Sequence, residues 1–234
     1  MRVVATINFK GGVGKTTITW LLARSISETT GKKVLVVDAD AQMSLTLSVS
    51  LMSGEGTFVP DFGRWYNEVH SKGHTILDAL DAYDKFARAG GRFDFPCDRR
   101  FIWQVSENFF FIPSTTELYW LELELISREN VKGFVKALLG KIRHSSKTPV
   151  VPDYVFFDCP PNFTALSYSI LSNCSLILIP VNPDVFAARG IVMMLDGLRE
   201  RIQPWPDPLV AVIFNKVRTW RGPTRESIGF MDDV

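Results

Sequence analysis

The ten residues "NFKGGVGKTT", positions 8 to 17, constrain this chain more than any other stretch. A glycine-rich run ending in Gly-Lys-Thr, preceded by the β-branched "RVVATI" and followed by a helical pattern, predicts a strand, a phosphate-gripping loop and a helix in that order. Gly11, Gly12 and Gly14 let backbone N–H groups close around phosphate oxygens, with Val13 and Thr17 in the same turn. Lys15 is placed to reach the β and γ phosphates, and the Thr16 hydroxyl to ligate Mg²⁺. One position breaks the usual G-x-x-x-x-G-K-[ST] spacing: Phe9 stands where the first glycine belongs, and a second lysine, Lys10, follows it.

A strand–loop–helix unit of this kind implies a sheet with crossover helices. At 234 residues and 46% hydrophobic content the chain suits one α/β domain with a single core. Short β-branched runs alternate with helical patterns, so the expectation is a mainly parallel central sheet flanked by helices on both faces. Strands are expected at Arg2 to Asn8, Lys33 to Asp38, Phe109 to Pro113, Tyr154 to Asp158, Ser175 to Val181 and Leu209 to Asn215. Helices are expected at Lys15 to Thr29, Thr116 to Arg143 with a break near Gly133, Phe163 to Asn173 and Asp184 to Ile202. In the last, Val185, Ile191, Met194, Leu195, Leu198 and Ile202 mark the sheet-facing side, leaving Arg189, Arg199 and Arg201 largely off it. Residues 53 to 108 are too long for an ordinary connection and read as an insertion in a single 1–234 domain, with one helix at Thr75 to Arg88. Its aromatics, Phe58, Phe62, Trp65, Tyr66, Phe93 and Phe95, are expected to form a small satellite core.

A formal net charge of +1 gives no global basic field, so any nucleic-acid contact must come from a local patch. Cys97, Cys159 and Cys174 are too widely spaced for a zinc site or a disulfide framework, and a reducing cytosol is expected. The N-terminal apolar run lacks the shape of a signal peptide. "LILIP" is strand length, far short of the roughly 20 residues that cross a bilayer, and a soluble protein is expected.

Two further segments end strands in acids: "VLVVDADAQ" in Asp38 and Asp40, and "YVFFDCPP" in Asp158. Acids at the carboxyl ends of parallel strands face the crevice where a ligand binds. Asp158 and Asp38 are candidates for Mg²⁺, Asp158 through a water, and Asp40 for holding the water that attacks the γ phosphate. Together, "KGGVGKTT", "DADAQ" and "FFDCPP" resemble the deviant Walker A, A′ and Walker B motifs of the ParA/MinD family of P-loop NTPases, in that family's order. The resemblance implies a role for Lys10: it is the signature lysine, which crosses a dimer interface to the partner's ATP, much as an arginine finger does. "IPVNPDVFAARGI" resembles the family segment beside the nucleotide, which places Asn182 and Pro183 there. Asn215, in "IFNKV", resembles the residue that reads adenine.

The resemblance implies an ATPase that uses ATP and Mg²⁺ and forms a homodimer with ATP sandwiched at the interface. That dimer is expected to bind non-specific DNA on the nucleoid in the cytoplasm. A ParB-like or other partner protein would stimulate hydrolysis and so drive partition or positioning of a plasmid, chromosome or other cargo. Because phosphate contacts supply the affinity, cations must cluster; the candidates are Arg199, Arg201, Lys216, Arg218, Arg221 and Arg225, with Arg199 in the helix that contacts DNA in the family. A MinD-like membrane cycle needs a C-terminal amphipathic helix, and the sequence given ends in the acidic "SIGFMDDV". A cluster-carrying relative needs paired cysteines, and Cys159 reads instead as a small buried residue. A nucleotide-dependent adaptor with negligible hydrolysis shares every motif and differs only in turnover.

Overall fold

The apolar residues of the strands alternate between two sides, and that alternation builds the protein from its middle outward. A computed structural model describes residues 1–52, 69–90, 93–125, 129–184 and 187–217. Its strands are β1 (Arg2–Thr6), β2 (Val34–Asp38), β3 (Trp103–Ser106), β4 (Phe109–Ile112), β5 (Tyr154–Asp158), β6 (Leu176–Val181) and β7 (Leu209–Phe214). They form one sheet in the order β3-β4-β2-β5-β1-β6-β7. Every neighbouring pair is parallel except β3 with β4.

Seven helices connect the strands among the described residues: α1 (Lys15–Thr30), α2 (Ser44–Met52), α3 (Ile76–Ala89), α4 (Leu118–Leu125), α5 (Phe134–His144), α6 (Ala165–Leu171) and α7 (Ala187–Arg201). Val4, Val34, Val36, Phe109, Phe111, Phe156 and Leu178 point to one face, where Trp20 and Ala23 of α1 and Leu45 and Val49 of α2 cover them. Their neighbours Val3, Ala5, Leu35, Val37, Phe110, Ile112, Val155, Phe157, Ile177 and Ile179 point to the other face, which α3 to α7 cover. Helices therefore lie on both sides, and the carboxyl ends of β1, β2 and β5 meet at the centre of one edge of the sheet.

All six expected strands are present. The long helix expected at Thr116 to Arg143 is divided, with α4 and α5 separated by a 3₁₀ turn at Glu129–Gly133. On α7 the anticipated side is confirmed, Ile191, Met194, Leu198 and Ile202 being buried; Val185 lies outside the described residues. Thr75 caps α3 through a reciprocal pair with Asp78, so that helix starts where its sequence says it should.

Two elements were not among the expected ones. "SLTLSVSLM" alternates like a strand yet forms α2, with Leu45 and Val49 buried one turn apart and Leu47 exposed. The Asp38 carboxylate, eight positions upstream, accepts the backbone N–H of Thr46 at 2.8 Å. A cap supplied from outside the helix thus overrides the local period. β3 is a four-residue antiparallel edge strand with an irregular register, too short to read in the sequence.

Phe93 and Phe95, expected in a satellite core, instead join the main cluster with Ile76, Leu80 and Tyr83 of α3. Phe95 stacks edge-on with Phe101 at 4.8 Å, and Tyr83 with Phe134 at 5.7 Å. α3 lies on the sheet's larger buried face, so aromatics following it have a deep core within reach. Phe58, Phe62, Trp65 and Tyr66 lie outside the described residues. Among the described residues no helix is long and apolar enough to cross a membrane.

Phe157 is fully buried in β5, between β1 and β2. Phe157→Ala should destabilise the fold by about 3–5 kcal/mol, read as a lower urea midpoint with an unchanged slope.

Candidate functional site

The loop after β1 is held from below. The amide of Ile7 donates to Leu178 O at 3.0 Å, and the Asn8 side chain donates to Pro180 O at 2.8 Å while accepting the Lys10 N–H. Gly12 and Gly14 have φ of 72° and 94°, a region other residues enter at a cost. Asn215 Nδ2 donates to Val13 O at 2.8 Å and Lys216 Nζ to Gly12 O at 2.7 Å. With those carbonyls engaged, the N–H groups of residues 11–14 donate no hydrogen bond among the described residues. A run of free N–H groups leading into α1 is a cradle for anionic oxygens.

Lys15, the first residue of α1, is only 9% exposed, and its Nζ donates to Asn8 O at 3.1 Å. Burial pulls its ammonium below the usual lysine range, while Asp158 and Asp40 oppose that shift. Val13 is buried, Thr16 half-buried, and Gly11, Gly12 and Thr17 exposed.

Asp38 and Asp158 end adjacent strands in register. Both are buried, and burial holds both carboxyls above the usual carboxylate range, Asp158 further still through the charge on Asp38. Their surroundings differ. Asp38, expected to hold a metal, has its oxygens engaged: Oδ2 accepts the Thr46 N–H and hydroxyl at 2.8 and 2.7 Å, and Oδ1 accepts the Asp40 N–H at 3.1 Å. It therefore fastens α2 and the turn bearing Asp40. Asp158 keeps an oxygen open: Oδ1 faces Thr19 Oγ1 at 3.5 Å, Thr16 lies close enough to favour its charge, and Oδ2 is buried with no hydrogen-bond partner.

A buried carboxylate oxygen with no donor, one side chain from the Thr16 hydroxyl, fits one corner of a Mg²⁺ site. Among the described residues no cluster of three or more His, Cys, Asp or Glu could hold an ion alone. The remaining ligands would be phosphate oxygens and water, as Mg²⁺ prefers.

Asp40 is half-buried and its Oδ1 accepts the Gln42 N–H at 2.9 Å. It lines a cavity of about 300 Å³ together with Gln42, Glu122 and the Pro160–Thr164 segment. Glu122 was absent from the residues picked out in the sequence. Its signal was there: Leu118, Glu122 and Leu125 share the buried side of α4, an acid in an apolar row.

On the opposite side of the loop, a cavity of about 400 Å³ is lined by Phe9, Lys10, Asn182, Asp184, Ile191 and Met193, among others. Lys10 is half-exposed and pairs with Asp184. Asn182 Oδ1 is buried without a hydrogen-bond partner, and Pro183 follows it, half-buried. Asn215, expected to read adenine, has its side-chain amide turned to Val13 O and its Oδ1 accepting the Lys216 N–H.

The described members of the expected DNA cluster fall into two places. Arg199 and Arg201 lie in the last turn of α7, at the end of the sheet where β7 begins, whereas Lys216 follows the far end of β7 and binds the phosphate loop. Six residues of strand separate those ends by about 20 Å. Arg199 sits 3.9 Å from Asp196, and Arg201 donates to Gly197 O. Arg218, Arg221 and Arg225 lie outside the described residues. Cys97, Cys159 and Cys174 are free and buried.

Residues 1–204 match the family model AAA_31, described as an AAA domain. The sporulation initiation inhibitor protein Soj of Bacillus subtilis is 26% identical over 198 residues, 85% of this chain and 65% of that protein. The chromosome-partitioning ATPase Soj of Treponema pallidum is 24% identical over 204 residues, 86% and 65% of the two chains. This chain thus spans slightly less than two thirds of the length of either relative.

Among solved structures, apo McdA from Cyanothece superposes with a TM-score of 0.72 at 21% identity, covering 100% of this chain and 80% of that one. For cobyrinic acid a,c-diamide synthase from Mycobacterium smegmatis, with bound ATP analog and magnesium, the values are 0.74, 22%, 100% and 81%. A plasmid partition protein from Borrelia burgdorferi gives 0.67, 18%, 99% and 83%. At these identities the structures share the fold.

A Cβ added at Gly14 would sit 2.2 Å from Asn215 Nδ2, on backbone at φ +94°. Gly14→Ala should cost about 1–3 kcal/mol, seen in urea unfolding, and break the tie between Asn215 and Val13.

Proposed function

The chain belongs to the ParA/MinD family of P-loop ATPases, and on that premise we propose that it hydrolyses Mg·ATP in a cycle of dimerisation. One observation carries the reading: the buried Lys15 lies beneath a loop of free N–H groups, near Asp158 with its open oxygen. The N–H groups of residues 11–14 and the Lys15 ammonium would take the phosphate oxygens, Lys15 releasing Asn8 O as it does so. Thr16 and Asp158 would hold Mg²⁺, directly or through water, which supplies charge neutralisation between the phosphates. Asp40, oriented by Asp38 from behind, would hold the attacking water.

Lys10 would leave Asp184 and reach the nucleotide of a second copy, completing a site that one chain alone lacks. Its half-exposed side chain at the loop mouth, beside exposed Phe9 and Met193, supports this. In its ATP-bound form the dimer would bind DNA without sequence preference on the nucleoid, through Arg199 and Arg201, with Arg218 and Arg221 as further candidates. A ParB-like partner protein would stimulate hydrolysis and release, positioning a plasmid, chromosome or other cargo. Segment 53–108, proposed as an insertion in a single domain, is the candidate for partner specificity. The names borne by Soj of Treponema pallidum and the Borrelia burgdorferi structure support the partition role.

Binding to non-specific duplex DNA, measured with ATP, with ADP and with neither at two salt concentrations, tests the cycle. Binding only with ATP, weakening as salt rises, is expected; equal binding in all three states would overturn the nucleotide-gated cycle. Asp40→Ala should lower kcat about 100-fold and leave ATP-dependent dimerisation in place. Lys10→Ala should retain nucleotide binding but lose the rise of specific activity with protein concentration, followed by turnover assays across a dilution series.

A further inference from the structure

Glu122 is an acid in a position that the fold alone does not require. α4 turns it inward between Leu118 and Leu125, and it is 8% exposed. The Thr164 side chain and the Leu166 N–H, at the start of α6, lie close enough to favour its charge. Its Oε1 is buried and has no hydrogen-bond partner.

That carboxyl lines the 300 Å³ cavity whose other walls are the turn carrying Asp40 and the Pro160–Thr164 segment. These segments follow Asp38 and Asp158, the acids that end β2 and β5. The cavity lining includes no lysine or arginine to compensate two acids. Tyr119, from α4 itself, is the other titratable group on its wall. Burial pushes the Glu122 carboxyl up to about 7; the neighbouring Thr164 side chain and Leu166 N–H oppose this, and the charge on Asp40 adds to it.

A buried acid facing a second acid is unfavourable unless it holds a proton or shares one. Capping α6 does not require Glu122, since Thr164 already accepts the Ser167 N–H at 3.1 Å. An apolar residue would fill the row from Leu118 to Leu125 at lower cost.

We propose that Glu122 is a positioning residue of the hydrolytic site, tying the segment after β5 to the Asp40 turn across their shared cavity. This rests on the assignment of Asp40 to the attacking water. With its proton in place, Glu122 offers one oxygen to α6 and an O–H donor to the cavity, where Asp40 or a water beside it can accept. A change in the segment after Asp158 is thereby felt at Asp40. Asp38 holds the same turn from the opposite side through the Asp40 N–H, so Asp40 is steadied by two acids on different elements.

Steady-state ATP hydrolysis by the full chain tests this, with Glu122→Gln, Glu122→Ala and Asp40→Ala beside the unmutated protein and thermal unfolding run on each. Glutamine keeps the shape and the neutral donor. The expected result is a kcat about tenfold lower for Glu122→Ala with KM for ATP within about twofold, and recovery to within about threefold in Glu122→Gln. An unchanged kcat in Glu122→Ala overturns the proposal. So does a glutamine variant as slow as the alanine one, or a loss of kcat matched by a rise in KM and a fall in unfolding temperature. If the unmutated chain shows no turnover, the ATPase reading itself falls and takes this role with it; normal turnover with an indifferent Glu122 removes only the positioning role.

Discussion

Asp38 and Asp158 stand side by side at the ends of β2 and β5, both buried, and two like charges so placed repel each other strongly unless a proton or a cation intervenes. The fold gives the two unequal surroundings. Three donors surround Asp38, so it is spent on structure: it caps α2 and fixes the turn that carries Asp40. Asp158 is left with an unpartnered oxygen and the Lys15 charge nearby. Strand register makes this possible, since a slip of one residue between β2 and β5 would turn one acid to the opposite face. The parallel sheet and the site are therefore one constraint seen from two ends.

Where the chemistry lay at the ends of strands, the sequence was readable. "RVVATI", "VLVVD" and "YVFFD" announce buried parallel strands, and the acids and glycines after them lie at the same edge because parallel strands all end there. α2 was hidden because its period of two is local, whereas its cap arrives from Asp38, a tertiary contact. β3 carries too few residues to declare itself. Glu122 was overlooked because a single acid in "LYWLELEL" looks like one of two on a polar side, and only packing reveals which one faces inward.

Asn215 and Lys216 show the same limit from another direction. Positive charge pointed to a DNA contact at Lys216 and the family resemblance to an adenine-reading amide at Asn215, and both side chains turn to carbonyls of the phosphate loop. The seventh strand thus buttresses the loop that the first strand launches, although 202 positions separate Asn215 from Val13. Sequence spacing cannot report such closure, because it depends on β7 being laid beside β6 and its end arriving under Gly14.

The ion pair between Lys10 and Asp184 gives the half-exposed lysine a resting place. Both partners touch solvent, so the pair is worth about 0–1 kcal/mol and weakens as ions screen it. A latch that shallow opens and closes on thermal energy alone. Its consequence is kinetic: it parks one long, flexible side chain at the rim of the loop without locking it there, so whatever approaches that rim meets a cation already extended and still free to change hands.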